Sequence, residues 1–294
     1  MDIRWTTALL DIPLRTYRDA MDFWCAVTDS RMSSRRGQAG EYQTLLPHDG
    51  ADAFVRSQMF DDGPRVHLDL HVGHGGGAGD AGFVAARSGA LAAGARVLHE
   101  GESHVVLASP GGFVFCLVGY HGESVRPGPV DGVILDQLCL DLPATLFDAE
   151  LAFWERLTGW PAPAHAPAAA PTHAPATAPA APAPAPVSEA TPTHAPAVPG
   201  TDEASLTARG DLVRPDGMPL RLLLQRLGDD PRTQVTAHLD LAVGDKRTET
   251  IAAHLALGAS VVGHGARWTT LRDPAGLPYC LTDRDPATGL LAVT

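Results

Sequence analysis

Six residues, His67-Leu68-Asp69-Leu70-His71-Val72, alternate between polar and apolar, and the pattern returns as His238-Leu239-Asp240-Leu241-Ala242-Val243. A period of two predicts a strand with one face in a core. Leu68, Leu70 and Val72 take that face, and His67, Asp69 and His71 share the other. In the second copy Leu239, Leu241 and Val243 face the core, while His238 and Asp240 face away. An imidazole and a carboxylate on one strand face, twice in a chain, can line a site but name no reaction.

The same reading extends along the chain. Trp5–Ile12 alternates like a strand. Tyr17, Met21 and Trp24 then fall on one helical face, with Thr16 and Asp19 placed as an N-terminal cap. Glu41–Leu46 and Ala53–Met59 read as short strands around the turn His48-Asp49-Gly50. After the His67 strand a helix is predicted over 80–93, ended by Gly94. Arg96–His99, His104–Ala108 and Phe113–Val118 follow as strands, with Ser109-Pro110-Gly111-Gly112 as the turn before the last.

Much of this recurs. Asp11-Ile12-Pro13, Phe23-Trp24 and Thr28 reappear 130 residues on as Asp141-Leu142-Pro143, Phe153-Trp154 and Thr158. The His67 strand recurs at a spacing of 171, and Gly94-Ala95 and Cys116 recur at 164, as Gly258-Ala259 and Cys280. Copy two therefore begins with a strand at Leu135–Leu142 and a helix carrying Phe147, Leu151 and Trp154, capped by Thr145 with Asp148. Its last turn is Asp273-Pro274-Ala275-Gly276. The changes of spacing locate two insertions: Gly73–Gly79 in copy one and a Pro/Ala tract at 161–199 in copy two. The glycine run lacks the spacing and the lysine of a phosphate loop and reads as a flexible loop. The tract is nearly all Ala and Pro, with His165, His173 and His194 in near-repeats. Such a segment has nothing to bury and is expected to be extended and mobile. The expected organisation is a first domain at 1–121, a linker at 122–132 and a second domain at 133–285, interrupted by the tract.

Composition narrows the function classes. The 22 Lys and Arg face 34 Asp and Glu, a net charge of −12, which disfavours nucleic acid and anionic membranes as partners. Cys25, Cys116, Cys139 and Cys280 are scattered and form no C-x-x-C pair, so a disulfide scaffold is not expected. No apolar run approaches a membrane span, and the N-terminal residues lack a secretory signal. The expectation is a cytoplasmic protein, monomer or homodimer, from a high-GC bacterium.

The H-L-D-L-x-V strands, the L-G-A at Leu257-Gly258-Ala259 and the W-x-x-L-x-D-P-x-G…C pattern from Trp268 to Cys280 resemble the vicinal oxygen chelate superfamily, and its glyoxalase-like branch most closely. The resemblance covers nearly the whole chain outside the Pro/Ala tract. It implies an α+β fold of two tandem domains, each of two paired βαβββ modules forming a curved eight-stranded sheet around a cavity. It also implies a divalent metal in enzyme members of the superfamily. Carried onto this chain, the ligand positions are Gln137, His238 and Cys280 in the second domain, and Thr7, His67 and Cys116 in the first. A further ligand is expected near Ser57 or Gln225. No carboxylate stands at either Cys position, which departs from both the glyoxalase I and the extradiol dioxygenase ligand sets.

Two functions from different classes stay open. One is a metal-dependent lyase or isomerase of glyoxalase type acting on a small oxygenated molecule, with zinc the expected ion and Asp240 and Asp69 as the carboxylates that orient an imidazole or act as base. The other is a metal-free protein that sequesters a small molecule, as bleomycin-resistance members of the superfamily do. In that case His238 only hydrogen-bonds within a pocket and Cys280 is a small buried residue. His67 and His71, four residues apart on a strand, are separated by about 13 Å and cannot chelate one ion. Trp268 and His71 are candidate cavity residues. Trp24 and Trp154 read as core. Deleting residues 162–198 should shift the melting temperature little; a loss of several degrees would show that the tract packs on the core.

Overall fold

The computed structural model describes residues 1–74, 79–162, 206–228 and 230–291. The Pro/Ala tract beyond residue 162 and most of the glycine run lie outside the described residues. The first half contains β1 (Ile3–Pro13), α1 (Tyr17–Val27), β2 (Ser30–Met32), β3 (Tyr42–Pro47) and β4 (Val55–Phe60). It continues with β5 (Arg65–Val72), α2 (Ala81–Ala93), β6 (Arg96–Glu100), β7 (His104–Ala108) and β8 (Val114–Gly119). The second contains β9 (Ile134–Leu142), α3 (Phe147–Thr158), β10 (Leu206–Leu212), β11 (Arg221–Leu227), β12 (Thr236–Ala242), α4 (Arg247–Ala256), β13 (Ser260–His264), β14 (Trp268–Arg272) and β15 (Pro278–Thr282).

The first sheet has the order β2-β3-β4-β1-β5-β8-β7-β6. β1 runs parallel to β4 and β5 parallel to β8, and the two modules meet where β1 and β5 pair antiparallel. The second sheet, β10-β11-β9-β12-β15-β14-β13, repeats this with β9 against β12 at its centre. Both sheets are open. This is the α+β architecture of two tandem domains of paired βαβββ modules. The second sheet has seven strands among the described residues rather than eight. The place of a counterpart to β2, between α3 and β10, falls largely outside them.

Helix ends follow local chemistry, though not always the residues the sequence suggests. The Asp80 side chain accepts the Phe83 amide at 2.9 Å at the start of α2, and Gly94 ends that helix at φ 116, a left-handed conformation that favours glycine. Thr16 caps nothing: its hydroxyl donates to the Pro13 carbonyl at 3.3 Å, and a 3-10 turn at Leu14–Thr16 leads into α1. Thr145 is also no cap, because a turn closed by the Leu146 amide on the Pro143 carbonyl puts Leu146 in that position.

The polar faces of the central strands are covered rather than half-solvated. Every residue from Val66 to Val72 in β5 and every residue of β9 is buried. The apolar residues of the two halves form one continuous core. The join is reciprocal. Phe23 and Trp24 of α1 pack edge-on at 5.2 Å, and Trp24 meets Tyr279 of β15 at 5.4 Å. Phe153 and Trp154 of α3 pack at 5.2 Å, and Trp154 meets Phe115 of β8 at 5.3 Å. Each domain's first helix thus packs on the other domain's second module.

Each tryptophan also needs an acceptor for its buried indole N–H. Trp24 Nε1 donates to Asp273 Oδ2 at 2.8 Å, in the turn before β15, and Asp273 Oδ1 accepts the Ala275 and Leu277 amides. Trp154 Nε1 donates to Glu150 Oε2 at 2.9 Å on its own helix, and Glu150 Oε1 accepts the Gly111 amide across the join. The carboxylate has changed sides between the repeats. Asp273 and Ala20 of one join correspond to Ser109 and Glu150 of the other. Gly111 stands where the other turn has Ala275, since a Cβ there would meet Glu150 Oε1 at 2.9 Å and Val235 at 2.6 Å. Burial raises both carboxyls, that of Asp273 to about 6.

Asp273→Ser should destabilise the fold by about 2–4 kcal/mol, since a hydroxyl can keep the Leu277 amide, as Ser109 keeps that of Phe113, but strands the Trp24 indole N–H and the Ala275 amide. Adding Ala20→Glu, which copies the other join, should restore roughly half of that loss in denaturant unfolding. No recovery in the double variant would show that the two joins are not interchangeable.

Candidate functional site

Three strands of the second sheet bring the polar residues together. Antiparallel pairing sets Asp240 of β12 opposite Gln137 of β9 and His238 opposite Cys139, and parallel pairing sets Cys280 of β15 beside Asp240. His238 lies between two carboxylates. Its Nδ1 donates to Asp141 Oδ2 at 2.9 Å, and its Nε2 is 3.2 Å from Asp240 Oδ1. Asp141 is held in turn by Gln225 Nε2 at 3.1 Å and by the Arg232 guanidinium at 3.7 Å. Gln137 donates its amide to Asp240 Oδ2, and Thr270 meets Cys280 Sγ at 3.4 Å.

Burial lowers the His238 basicity, but Asp141, the two nearby thiols and Asp240 outweigh it and hold the imidazole well above its ordinary pKa. Burial raises Asp240, and the His238 charge more than reverses this and holds the carboxyl below its ordinary range. Burial pushes the Cys139 thiol up to about 12 and raises Cys280 as well. His238, Asp240 and Cys280 offer a nitrogen, an oxygen and a sulfur, all within 4.8 Å of one another. They open onto a cavity of about 260 Å3 whose wall includes Trp268, Arg221 and Arg284.

The first domain has a related cluster of different character. His67 Nδ1 lies 3.2 Å from Asp11 Oδ2 and Nε2 lies 3.7 Å from Asp69 Oδ1, with Cys116 alongside. Here cations neutralise the carboxylates: Arg65 contacts Asp11 at 2.8 Å and Arg56 contacts Asp69 at 3.6 Å. In the second domain the position of Arg56 is taken by Leu223, and the partner of Asp240 is the neutral Gln137.

Other expected residues are placed elsewhere. Thr7 joins its hydroxyl to His71 Nε2 at 2.8 Å, and His71 Nδ1 faces Glu123 at 3.2 Å. His71 is therefore separate from the second-domain cavity, and its counterpart there is Ala242. Ser57 bonds Tyr17 of α1 at 2.7 Å and so points to the helix side. Gln225 does face the cluster, and its register partner is Asp141, as that of Gln58 is Asp11. The sequence reading missed Asp141, Asp11 and Cys139 as site residues. Their signal was present: Asp11 and Asp141 recur at a fixed spacing, and Gln137, Cys139 and Asp141 alternate along one strand.

Among the described residues no helix is long and apolar enough to cross a membrane. No curated protein sequence matches the chain. Solved structures share the fold. 2,2',3-Trihydroxybiphenyl 1,2-dioxygenase from Sphingomonas wittichii superposes with a TM-score of 0.56 at 11% identity, over 96% of this chain and 90% of that one. Homoprotocatechuate 2,3-dioxygenase from Brevibacterium fuscum gives 0.55 at 12% identity, over 97% and 72%. 4-Hydroxymandelate synthase from Streptomyces coelicolor gives 0.52 at 14%, over 96% and 92%. At these identities the likeness concerns the fold alone. The sequence signature of the glyoxalase-like domain matches residues 9–118 and again 137–282, the two sheets just described. The chain belongs to the glyoxalase-like domain family and carries two copies of that domain in tandem.

Proposed function

We propose that the second domain is the working half of the protein and takes a small oxygenated organic molecule into its cavity, against a divalent ion held by His238, Asp240 and Cys280. One observation carries the reading. Asp240 Oδ1 is buried and has no hydrogen bond of good geometry, although it lies beside the His238 ring; its counterpart Asp69 Oδ1 is also unbonded, but the other oxygen of Asp69 has Arg56 against it. A separation of 3.2 Å between that oxygen and Nε2 also suits two ligands of one ion at about 2.0 Å each. The mixed nitrogen, oxygen and sulfur set favours zinc over magnesium or calcium. Such an ion, when bound, would polarise a ligand oxygen as a Lewis acid.

The protein's own residues have definite tasks in this account. Asp141 fixes the His238 ring from its Nδ1 side and leaves Nε2 pointing at Asp240, the outer-sphere role that carboxylates commonly play for a ligating imidazole. Gln225 and Arg232 hold Asp141 in place. Gln137 pins one oxygen of Asp240 and leaves the other facing His238. Trp268, buried on β14, supplies an apolar wall for the ligand body. In the first domain Arg56 stands against Asp69, and a fixed positive charge there opposes a bound cation. Proton movement of the glyoxalase type would fall to Asp240, the carboxylate that Gln137 holds in place.

Metal-free sequestration is favoured by the pairing of His238 with two carboxylates, which already satisfies the imidazolium without an ion. Metal analysis of protein purified without chelators separates the two. The metal reading predicts about one equivalent of zinc per chain, lost in His238→Ala and retained in His67→Ala. Metal lost in His67→Ala but retained in His238→Ala would overturn the assignment. No metal in any variant, with ligand affinity indifferent to a chelator, would establish sequestration instead.

A further inference from the structure

Beside the His238 cluster lies a concentration of positive charge that the account so far does not use. Asp136 is fully buried at a bulge in β9. Arg284 grips it with both ends of its guanidinium, Nη2 to Oδ1 at 2.8 Å and Nη1 to Oδ2 at 3.0 Å. That pair alone is balanced. Three further guanidiniums surround it. Arg214 donates to the backbone carbonyls of Asp136 and Pro219. Arg221 donates to the carbonyls of Thr288 and Gly289, at 3.3 and 2.7 Å. Arg126, from the segment between the domains, has no side-chain hydrogen bond or ion pair among the described residues.

The four cations act on one another. Burial and then the charge of Arg126 push the Arg214 pKa down to about 10, with Arg221 and Arg284 adding to the effect. Burial lowers Arg126 as well; Asp136 opposes this, and Arg221 and Arg284 add to it. One carboxylate thus serves four guanidiniums in a chain that is strongly acidic overall. Such crowding costs free energy unless an anion completes it.

Two members of this group open onto the cavity. Arg221 and Arg284 line it together with Arg267, and Asp211 and Asp240 are the carboxylates in its wall. Guanidinium forks suit oxyanions that accept two hydrogen bonds. We propose that the arginine group around Asp136 is the recognition site for an oxyanion headgroup, a carboxylate or a phosphate, on the molecule that the cavity takes. This rests on the cavity being a ligand site but needs no metal. It narrows the ligand to an organic anion, with its charged end on Arg221 and Arg284, the two members of the group that line the cavity, and its oxygenated end towards His238.

Titration calorimetry on the full chain at low ionic strength, with inorganic phosphate and with malonate as separate probes, tests this. At least one probe should bind saturably, and the stronger one identifies the headgroup. Binding should weaken as salt is added. Arg221→Gln should weaken it by about tenfold, the loss of one charge-assisted contact, and Arg126→Gln by less, through the loss of one charge behind the cavity wall, while Arg18→Gln on the exposed face of α1 leaves it unchanged. Arg126→Gln removes no hydrogen bond and keeps the test valid if Arg221→Gln unfolds. His238→Ala should retain the binding, so failure of the metal reading and failure of this one are distinguishable. No saturable binding of either probe, or equal binding by both arginine variants, would overturn the proposal.

Discussion

Two buried indole N–H groups, each handed to a carboxylate at the join between domains, constrain the rest of the molecule. Trp24 and Trp154 sit at the centre of one shared core, and each is seated on the last strand of the domain it does not belong to. A tryptophan in that place must find an acceptor, and the acceptor ties helix to turn. Because the turns before β8 and β15 are fixed in this way, so are the strands that follow them. β15 carries Cys280, so the packing at the join also sets the position of a residue in the site.

The repeat makes the two sites comparable and shows what separates them. Both place a histidine between two carboxylates beside a thiol, with the histidine on the first strand of the second module. The differences lie in the neighbours. Arg56 lies against Asp69 in the first domain, whereas the corresponding position in the second is Leu223 and the partner of Asp240 is the neutral Gln137. The arginines of the second domain gather instead around Asp136, to one side of the histidine, which leaves one cavity with an acceptor-rich end and a donor-rich end.

Much of the fold was legible in the sequence because strand alternation and repeat spacing are local and periodic. The His67 and His238 strands, the α2 end at Gly94 and the module order all follow from such signals. The pairing of helices with the opposite domain was not legible, since no local pattern states which sheet covers a helix face. The same limit applied to the caps, where Thr16 and Thr145 had the right residue type but the wrong backbone. In the site, His238, Asp240 and Cys280 were readable as a strand motif. Asp141 was read only as a mark of the repeat, because its role appears once β9 lies against β12. The arginine group was invisible, since Arg126, the Arg214–Arg221 stretch and Arg284 come from three separate segments.

The central claim is that the second domain's cluster, and not its counterpart, is built for an ion in a ligand cavity. Crystals grown with zinc, with data collected on both sides of the zinc absorption edge, test it most directly. The account predicts one anomalous peak, within bonding distance of His238, Asp240 and Cys280, with none at His67, Asp69 and Cys116. A peak at the first-domain cluster alone would contradict it.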